Sequence, residues 1–303
     1  MRRALRWVGI VLASMVILIV AAGVAVYLLT NARFNATYAF SPAPFSLEAD
    51  SASLARGAHI ATIRGCVDCH GADLGGGPVI EAPPVAMLYA TNLTSGEGGK
   101  APLYQSDELW VRAIRHGIGV DDRGLMFMPA QEYQVLSNED INDLIAYVKS
   151  VPPVDREIPE TTIGPVGRLL FLAGQMELVP AELVDHENLR PPDRVEEAPT
   201  AEFGGYLATG CFGCHGHGLA GGPIPGAPPE FPPGANLTPD PETGLGNWSE
   251  GDFTRAMREG IRPDGTEIDP FMPVQLTSQM TDTEIRALWL HLQSLEPTPY
   301  GMR

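Results

Sequence analysis

The sequence predicts an all-α protein, an N-terminal transmembrane helix followed by two tandem helical domains, and three observations carry that expectation. Residues 8–29 are an uncharged apolar run. The remainder of the chain aligns with itself at a shift near 144 residues. Each repeat closes on an apolar stripe at i, i+3, i+4, i+7 behind a capping pair. Ser137 and Asp140 precede Ile141, Leu144, Ile145 and Val148; Thr281 and Glu284 precede Ile285, Leu288, Trp289 and Leu292.

Composition agrees with folded domains. The 303 residues are 44% hydrophobic and 19% charged, which excludes a disordered chain, while 33 Gly and 28 Pro require many turns. Net charge is -17, and the charges before residue 34 are all basic: Arg2, Arg3, Arg6 and Arg33. The remainder therefore carries 16 basic against 37 acidic residues, or -21. Such a surface repels phosphate backbones and excludes nucleic acid as a partner; a protein partner is expected to present a basic docking face.

Taken in order, the elements follow from local chemistry. The 22 residues of the run 8–29, at 1.5 Å each, cross a hydrocarbon core of roughly 30 Å. A cleavable signal peptide is the rival, but its apolar core is usually about 7–15 residues. The arginines ahead of the run place the N-terminus in the cytoplasm, so residues 34–303 are expected on the periplasmic side of the inner membrane. The expected divisions are an anchor over 1–33, a linker over 34–50, a first domain over 51–154, an interdomain strap over 155–198 and a second domain over 199–303. The middle stretch 151–200 holds eight prolines and the apolar run Leu169-Leu170-Phe171-Leu172, expected to pack across both domains, with contact to a membrane interface as the minority reading. Shorter helices are expected from Ser106 and Ser249, with acidic residues in their first turns.

Four cysteines in an exported domain suggest two disulfides, yet they fall as Cys66-Val67-Asp68-Cys69-His70 and Cys211-Phe212-Gly213-Cys214-His215. Two thiols three positions apart each add to one vinyl group of a haem, and the next residue brings its imidazole to the iron. Two covalently bound haem c groups are therefore expected, with His70 and His215 as axial ligands. A thioredoxin-like pair does not need the His, and a zinc site of four Cys leaves both His idle.

The repeat also marks sixth ligands. Gly57-Ala58-His59-Ile60 meets Gly204-Gly205-Tyr206-Leu207, Gly76-Gly77-Pro78 meets Gly221-Gly222-Pro223, and Asn92-Leu93-Thr94 meets Asn236-Leu237-Thr238. Arg115-His116-Gly117-Ile118 meets Arg258-Glu259-Gly260-Ile261, and Phe127-Met128-Pro129 meets Phe271-Met272-Pro273. Met128 and Met272 lie 58 and 57 residues after their histidines, each before a Pro that holds it extended, as suits a thioether turned inward from a loop. A gap-filling core Met is the ordinary alternative. For the first iron, Met126 and His116 stay open as competitors.

These units resemble class I cytochrome c domains, and the pair is similar to the cytochrome c subunits of membrane-bound alcohol and gluconate dehydrogenases. The stretch NLTPDPETGLGNWSEGDFTRAMREGIRPDG followed by Phe271-Met272-Pro273 carries the likeness over nearly the whole second domain; the first is a looser match. Those subunits commonly carry three haems, whereas this chain has two pentads. The expected function is electron transfer, as a protein that is not itself catalytic or as the electron-transfer subunit of an oxidoreductase complex. Its expected partners are a membrane respiratory or dehydrogenase complex on one side and a c-type cytochrome or terminal oxidase on the other. A dihaem subunit of a haem-copper oxidase and a dihaem cytochrome c peroxidase are the alternatives. The Asn-x-Thr/Ser matches at Asn35, Asn92, Asn236 and Asn247 read as turn structure, and His186 and His217 as solvated side chains.

Overall fold

The computed structural model describes residues 2–227 and 231–302. Helix α1 (Arg2–Phe34) is long and apolar enough to cross a membrane, and its side chains are exposed except near its end, where Thr30 is buried. Residues 35–50 then run along the first half, where the Phe45 N–H donates to Glu108 at 3.2 Å and the Glu48 N–H to Asn142 at 2.9 Å.

The first half contains α2 (Ser51–Ile63), α3 (Cys66–His70), α4 (Asp107–His116), α5 (Ala130–Tyr133) and α6 (Asn138–Ser150). After α7 (Pro165–Leu172), the same order returns as α8 (Ala201–Ala208), α9 (Phe212–His215), α10 (Glu250–Glu259), α11 (Val274–Thr277) and α12 (Asp282–Ser294). The expected caps form: Ser137 accepts from the Asp140 N–H, and Ser249 with Asp252 and Thr281 with Glu284 make full capping boxes. Ser106 precedes α4 without a side-chain cap. Gly117 and Gly260 close α4 and α10 in the left-handed region, at φ 65° and 68°.

In each half the first helix crosses the last at a glycine. A Cβ on Gly57 would stand 2.0 Å from the Asp143 carbonyl oxygen, and one on Gly204 would stand 1.9 Å from that of Ala287, so no side chain fits either crossing. Around the crossings lie two separate apolar cores, one with Ile60, Trp110, Leu136, Ile141 and Ile145, the other with Phe203, Phe253, Ile285 and Leu288.

The halves meet through reciprocal contacts. His59 on α2 bonds Glu284 of α12 at 2.9 Å, while Tyr206, its repeat mate on α8, donates to Asp140 of α6, the mate of Glu284. Arg64 spans the same interface, donating to the carbonyls of Tyr206 at 3.1 Å and Leu207 at 3.2 Å and to the Thr209 hydroxyl at 3.0 Å. Equal positions touching crosswise describe an approximate two-fold relation between the halves.

The fold is mostly helical rather than all-α. Residues 77–90 form the hairpin β1 (Gly77–Ala82) and β2 (Ala86–Ala90), and β3 (Thr162–Ile163) adds antiparallel to β2. Most of the sheet is this local hairpin; the third strand comes from the strap, about 70 residues on, and covers an edge that would otherwise be open. The strap does pack across both halves, since Phe171, Leu178 and Val179 form a third core with Leu88 and Ile118, and Val195 packs into the second core.

Candidate functional site

Each pentad is a short helical turn stopped by glycine: Gly71 and Gly216 follow the histidines at φ 79° and 78°. The His70 Nδ1 lies 2.8 Å from the Thr91 carbonyl oxygen and the His215 Nδ1 2.8 Å from that of Ala235. A carbonyl only accepts, so Nδ1 carries the proton and Nε2 the lone pair, in both halves. Burial pushes the His70 imidazole down, with the Thr91 carbonyl opposing, which favours the neutral ring that ligation needs.

What holds those carbonyls is the Asn-Leu-Thr turn that follows each. Asn92 Oδ1 accepts from the Thr94 N–H at 2.9 Å and hydroxyl at 2.8 Å, and its Nδ2 donates to the Val154 carbonyl at 2.7 Å. Asn236 repeats this with Thr238 at 3.0 and 2.8 Å and donates to the Thr298 carbonyl at 2.8 Å. Both Asn side chains are buried, so these sequons are turn structure. Leu74 and Leu219 also match, each fully buried and in the left-handed region at φ 52° and 56°. A buried leucine with positive φ gives no signal in a sequence; only its recurrence between glycines marks it.

The Met loops agree as well. Pro129 and Pro273 adopt φ -77° with ψ 62° and 66°, an inverse γ-turn in which the residue after Pro donates to the Met carbonyl at 2.8 and 2.7 Å. Met128 packs into the first core with Cys66, Val67 and Leu93, and Met272 into the second with Cys211, Phe212 and Leu237. Met126 goes instead into the strap's core with Phe127. His116 turns away to the strap, its Nδ1 3.0 Å from His186 Nδ1 and its ring 4.2 Å from that of Phe40. Of the three candidates for the first iron, Met128 alone shares a core with the pentad. Behind the loops, Arg115 donates to the Leu136 carbonyl at 2.7 Å and its mate Arg258 to that of Ser278, which fixes the path from Met to the last helix.

No disulfide joins the four cysteines. Burial pushes the Cys66 thiol up to about 12 and the Cys211 thiol to about 11, opposite to the depressed thiol of a disulfide oxidoreductase. Among the described residues no three of His, Cys, Asp and Glu converge, so the pentads do not combine into one metal-binding cluster. The Cys66 and Cys211 thiols packed against the two cores, a carbonyl-fixed imidazole and a thioether in the same core together fit a covalently bound haem in each half.

The pentads also lie close to the interface. Tyr133 on α5 donates to the Arg64 carbonyl at 3.1 Å, and a Cβ on Gly213 would stand 2.8 Å from Glu132 of the same helix. On the other side a Cβ on Gly65 would stand 3.8 Å from Leu276 of α11. Each pentad thus faces the helix that follows the other half's Met. Arg64, Glu132 and Tyr206 escaped the sequence reading because their partners lie across the interface.

This arrangement is that of a c-type cytochrome. The cytochrome c family model matches residues 54–152 and 204–296, and the chain belongs to that family, whose domains bind haem c. It is 31% identical to the cytochrome c subunit of a quinone alcohol dehydrogenase from Gluconacetobacter polyoxogenes, over 86% of this chain and 62% of the relative. It is 29% identical to the gluconate 2-dehydrogenase cytochrome c subunit of Pantoea cypripedii, over 82% and 60%. A dihaem c-type cytochrome of Cereibacter sphaeroides is 30% identical over 60% of this chain and 62% of its own length. The chain spans about three fifths of the length of these curated relatives.

Proposed function

We propose that the chain is a membrane-anchored dihaem cytochrome c that carries electrons between a membrane quinol-oxidising or dehydrogenase complex and a periplasmic cytochrome or terminal oxidase. The observation that carries this reading is the paired site: in each half a carbonyl-fixed imidazole follows two thiols, and a Met packs into the core that holds the first of them. Cys66, Cys69, Cys211 and Cys214 would hold two haems by thioether bonds. His70 with Met128 and His215 with Met272 would ligate the irons. When bound, the haems supply one-electron chemistry at potentials raised by thioether ligation.

The chain's own contribution is position. Both irons would be six-coordinate, so the arrangement favours relay over peroxide chemistry, which needs an open iron position. The interface through Arg64, Glu132 and Tyr206 sets the pentads against each other, which suits transfer within one chain. Access differs between the halves: the strap covers the first Met loop, whereas Phe271 of the second is 41% exposed and edge-on to Phe231 at 4.5 Å. The second half is the side on which a partner can dock. We place the anchor at residues 1–33, the linker at 34–50, the cytochrome domains at 51–154 and 199–303, and the strap at 155–198. The anchor is in the inner membrane with the domains on the periplasmic side.

A pyridine haemochrome assay on the purified protein should give two haems per chain, both retained after acid-solvent extraction. One haem, or extractable haem, overturns the dihaem reading.

A further inference from the structure

The anchor and the strap are joined at one place. Arg168 of α7 donates to the Thr30 hydroxyl and to Asn31 Oδ1 at 3.2 Å, and its guanidinium stands 4.6 Å from the Tyr27 ring and 5.2 Å from that of Phe34. Phe34 stacks on Phe171 at 5.1 Å, and Arg33 covers the same ring at 3.8 Å while pairing with Glu182. Helix α7 is therefore fixed beside the last two turns of α1.

Its two faces differ. Gly167 and Phe171 are buried, and a Cβ on Gly167 would stand 2.1 Å from the Val85 carbonyl oxygen, so the inner face is pressed onto the first half. The outer face carries Val166 at 42% exposure and Leu169 at 54%, followed by exposed Ala173. The one charge on α7, Arg168, is directed at α1 and engaged there.

We infer that the outer face of α7 inserts into the lipid interface beside the anchor, so that the first half is held against the membrane in a fixed orientation. The occupant is lipid because α7 packs beside the end of α1, where Tyr27, Leu28 and Leu29 are exposed, the apolar run ends and a bilayer gives way to water. An exposed apolar stripe next to a spanning helix lies at the depth of headgroups and upper acyl chains. The consequence concerns orientation: a two-point attachment prevents the first half from turning about a flexible tether.

This inference rests on the anchor proposed above, and the test separates the two. The full-length holoprotein is reconstituted into vesicles of phosphatidylcholine and phosphatidylglycerol containing a phospholipid with a diazirine in its acyl chain. After illumination, lipid adducts are mapped by peptide mass spectrometry. Adducts are expected within 8–29 and within 166–173, and not at Phe271, an exposed apolar side chain of the second half. Leu169→Glu should lower adduct yield at 166–173 by about tenfold, the loss of one buried apolar side chain, with labelling of 8–29 and the haem spectrum unchanged. Val166→Glu should act in the same direction. Adducts in 8–29 but none in 166–173, or equal yields at 166–173 and Phe271, would overturn the interfacial helix while leaving the anchor. No adducts in either segment would overturn both.

Discussion

The two halves agree where chemistry requires it and differ where access is decided. Both hold the imidazole on a backbone carbonyl at 2.8 Å, cross their terminal helices at a glycine and turn through Met-Pro with nearly the same ψ. Around this common frame, the first half gains a three-stranded sheet, the strap and the end of α1, while the second half's Met loop stays open at Phe271. The Phe before Met shows the divergence at one position. Phe127 has φ 62° and donates its N–H to the Leu178 carbonyl of the strap at 2.9 Å, whereas Phe271 donates to its neighbour Asp269. The frame is therefore common to both proposed haem sites, and what is added to it changes which face of each half stays exposed.

The sharpest way to break the comparison is at the two methionines proposed as axial ligands. Met128→His and Met272→His should each lower one midpoint potential by on the order of a few tenths of a volt, within the roughly 0.8 V that axial ligation commands, because imidazole stabilises the ferric state more than thioether does. Spectroelectrochemical titration reads both midpoints. Equal shifts mean equal sites. If Met128→His left both midpoints in place while Met126→Leu moved one, the halves would differ in their ligands as well as their cover.

A smaller effect tests the shared frame. Gly57→Ala and Gly204→Ala each drive a Cβ against a carbonyl oxygen of the opposing helix, at 2.0 and 1.9 Å, and the helices must separate. Each should cost about 3 kcal/mol in chemical denaturation, the upper range of overpacking. A cost for Gly204→Ala but not for Gly57→Ala would show that the strap, rather than the crossing, holds the first half together.

Much of this was legible in the sequence, for local reasons. The pentads, capping pairs, apolar stripes and Met-Pro pairs are short patterns whose chemistry needs no partner far along the chain, and the repeat doubled each signal. The apolar run marked α1, although the helix continues to Phe34 because its last turns dock on α7. The hairpin was missed because its Gly, Pro and Ala residues carry no strand alternation, β3 because the strap supplies it, and the pairs across the interface because His59 and Glu284 lie 225 residues apart. Even there the register held a clue: His59 and Tyr206 are repeat mates, and so are Asp140 and Glu284, so the two contacts are one contact made twice with different chemistry.

That difference supplies the smallest and most selective test. In the first copy the His59–Glu284 hydrogen bond raises the imidazole pKa above its usual 6.5, with burial opposing, and Glu284 falls below 4.5 because bonds from His59 and Thr281 outweigh its burial. A raised histidine contributes its full stabilisation below 6.5 and loses it as pH rises through the higher folded value; a lowered carboxyl contributes above 4.5 and loses it as pH falls through the folded value. The pair is therefore strongest between those two values. In the second copy burial, then Asp140, raises the Tyr206 phenol, so that partner stays protonated over the same range. Denaturation midpoints of the wild type and of His59→Leu, measured from pH 6 to 9, should converge as His59 deprotonates, whereas Glu132, raised to about 7 by burial, and the histidines lowered by burial titrate alike in both. Tyr206→Phe should lower the curve by about 1 kcal/mol, the loss of one hydrogen bond, without changing its shape. A His59→Leu curve with the wild-type slope would assign the pH dependence to another group and leave the two copies of the contact energetically alike.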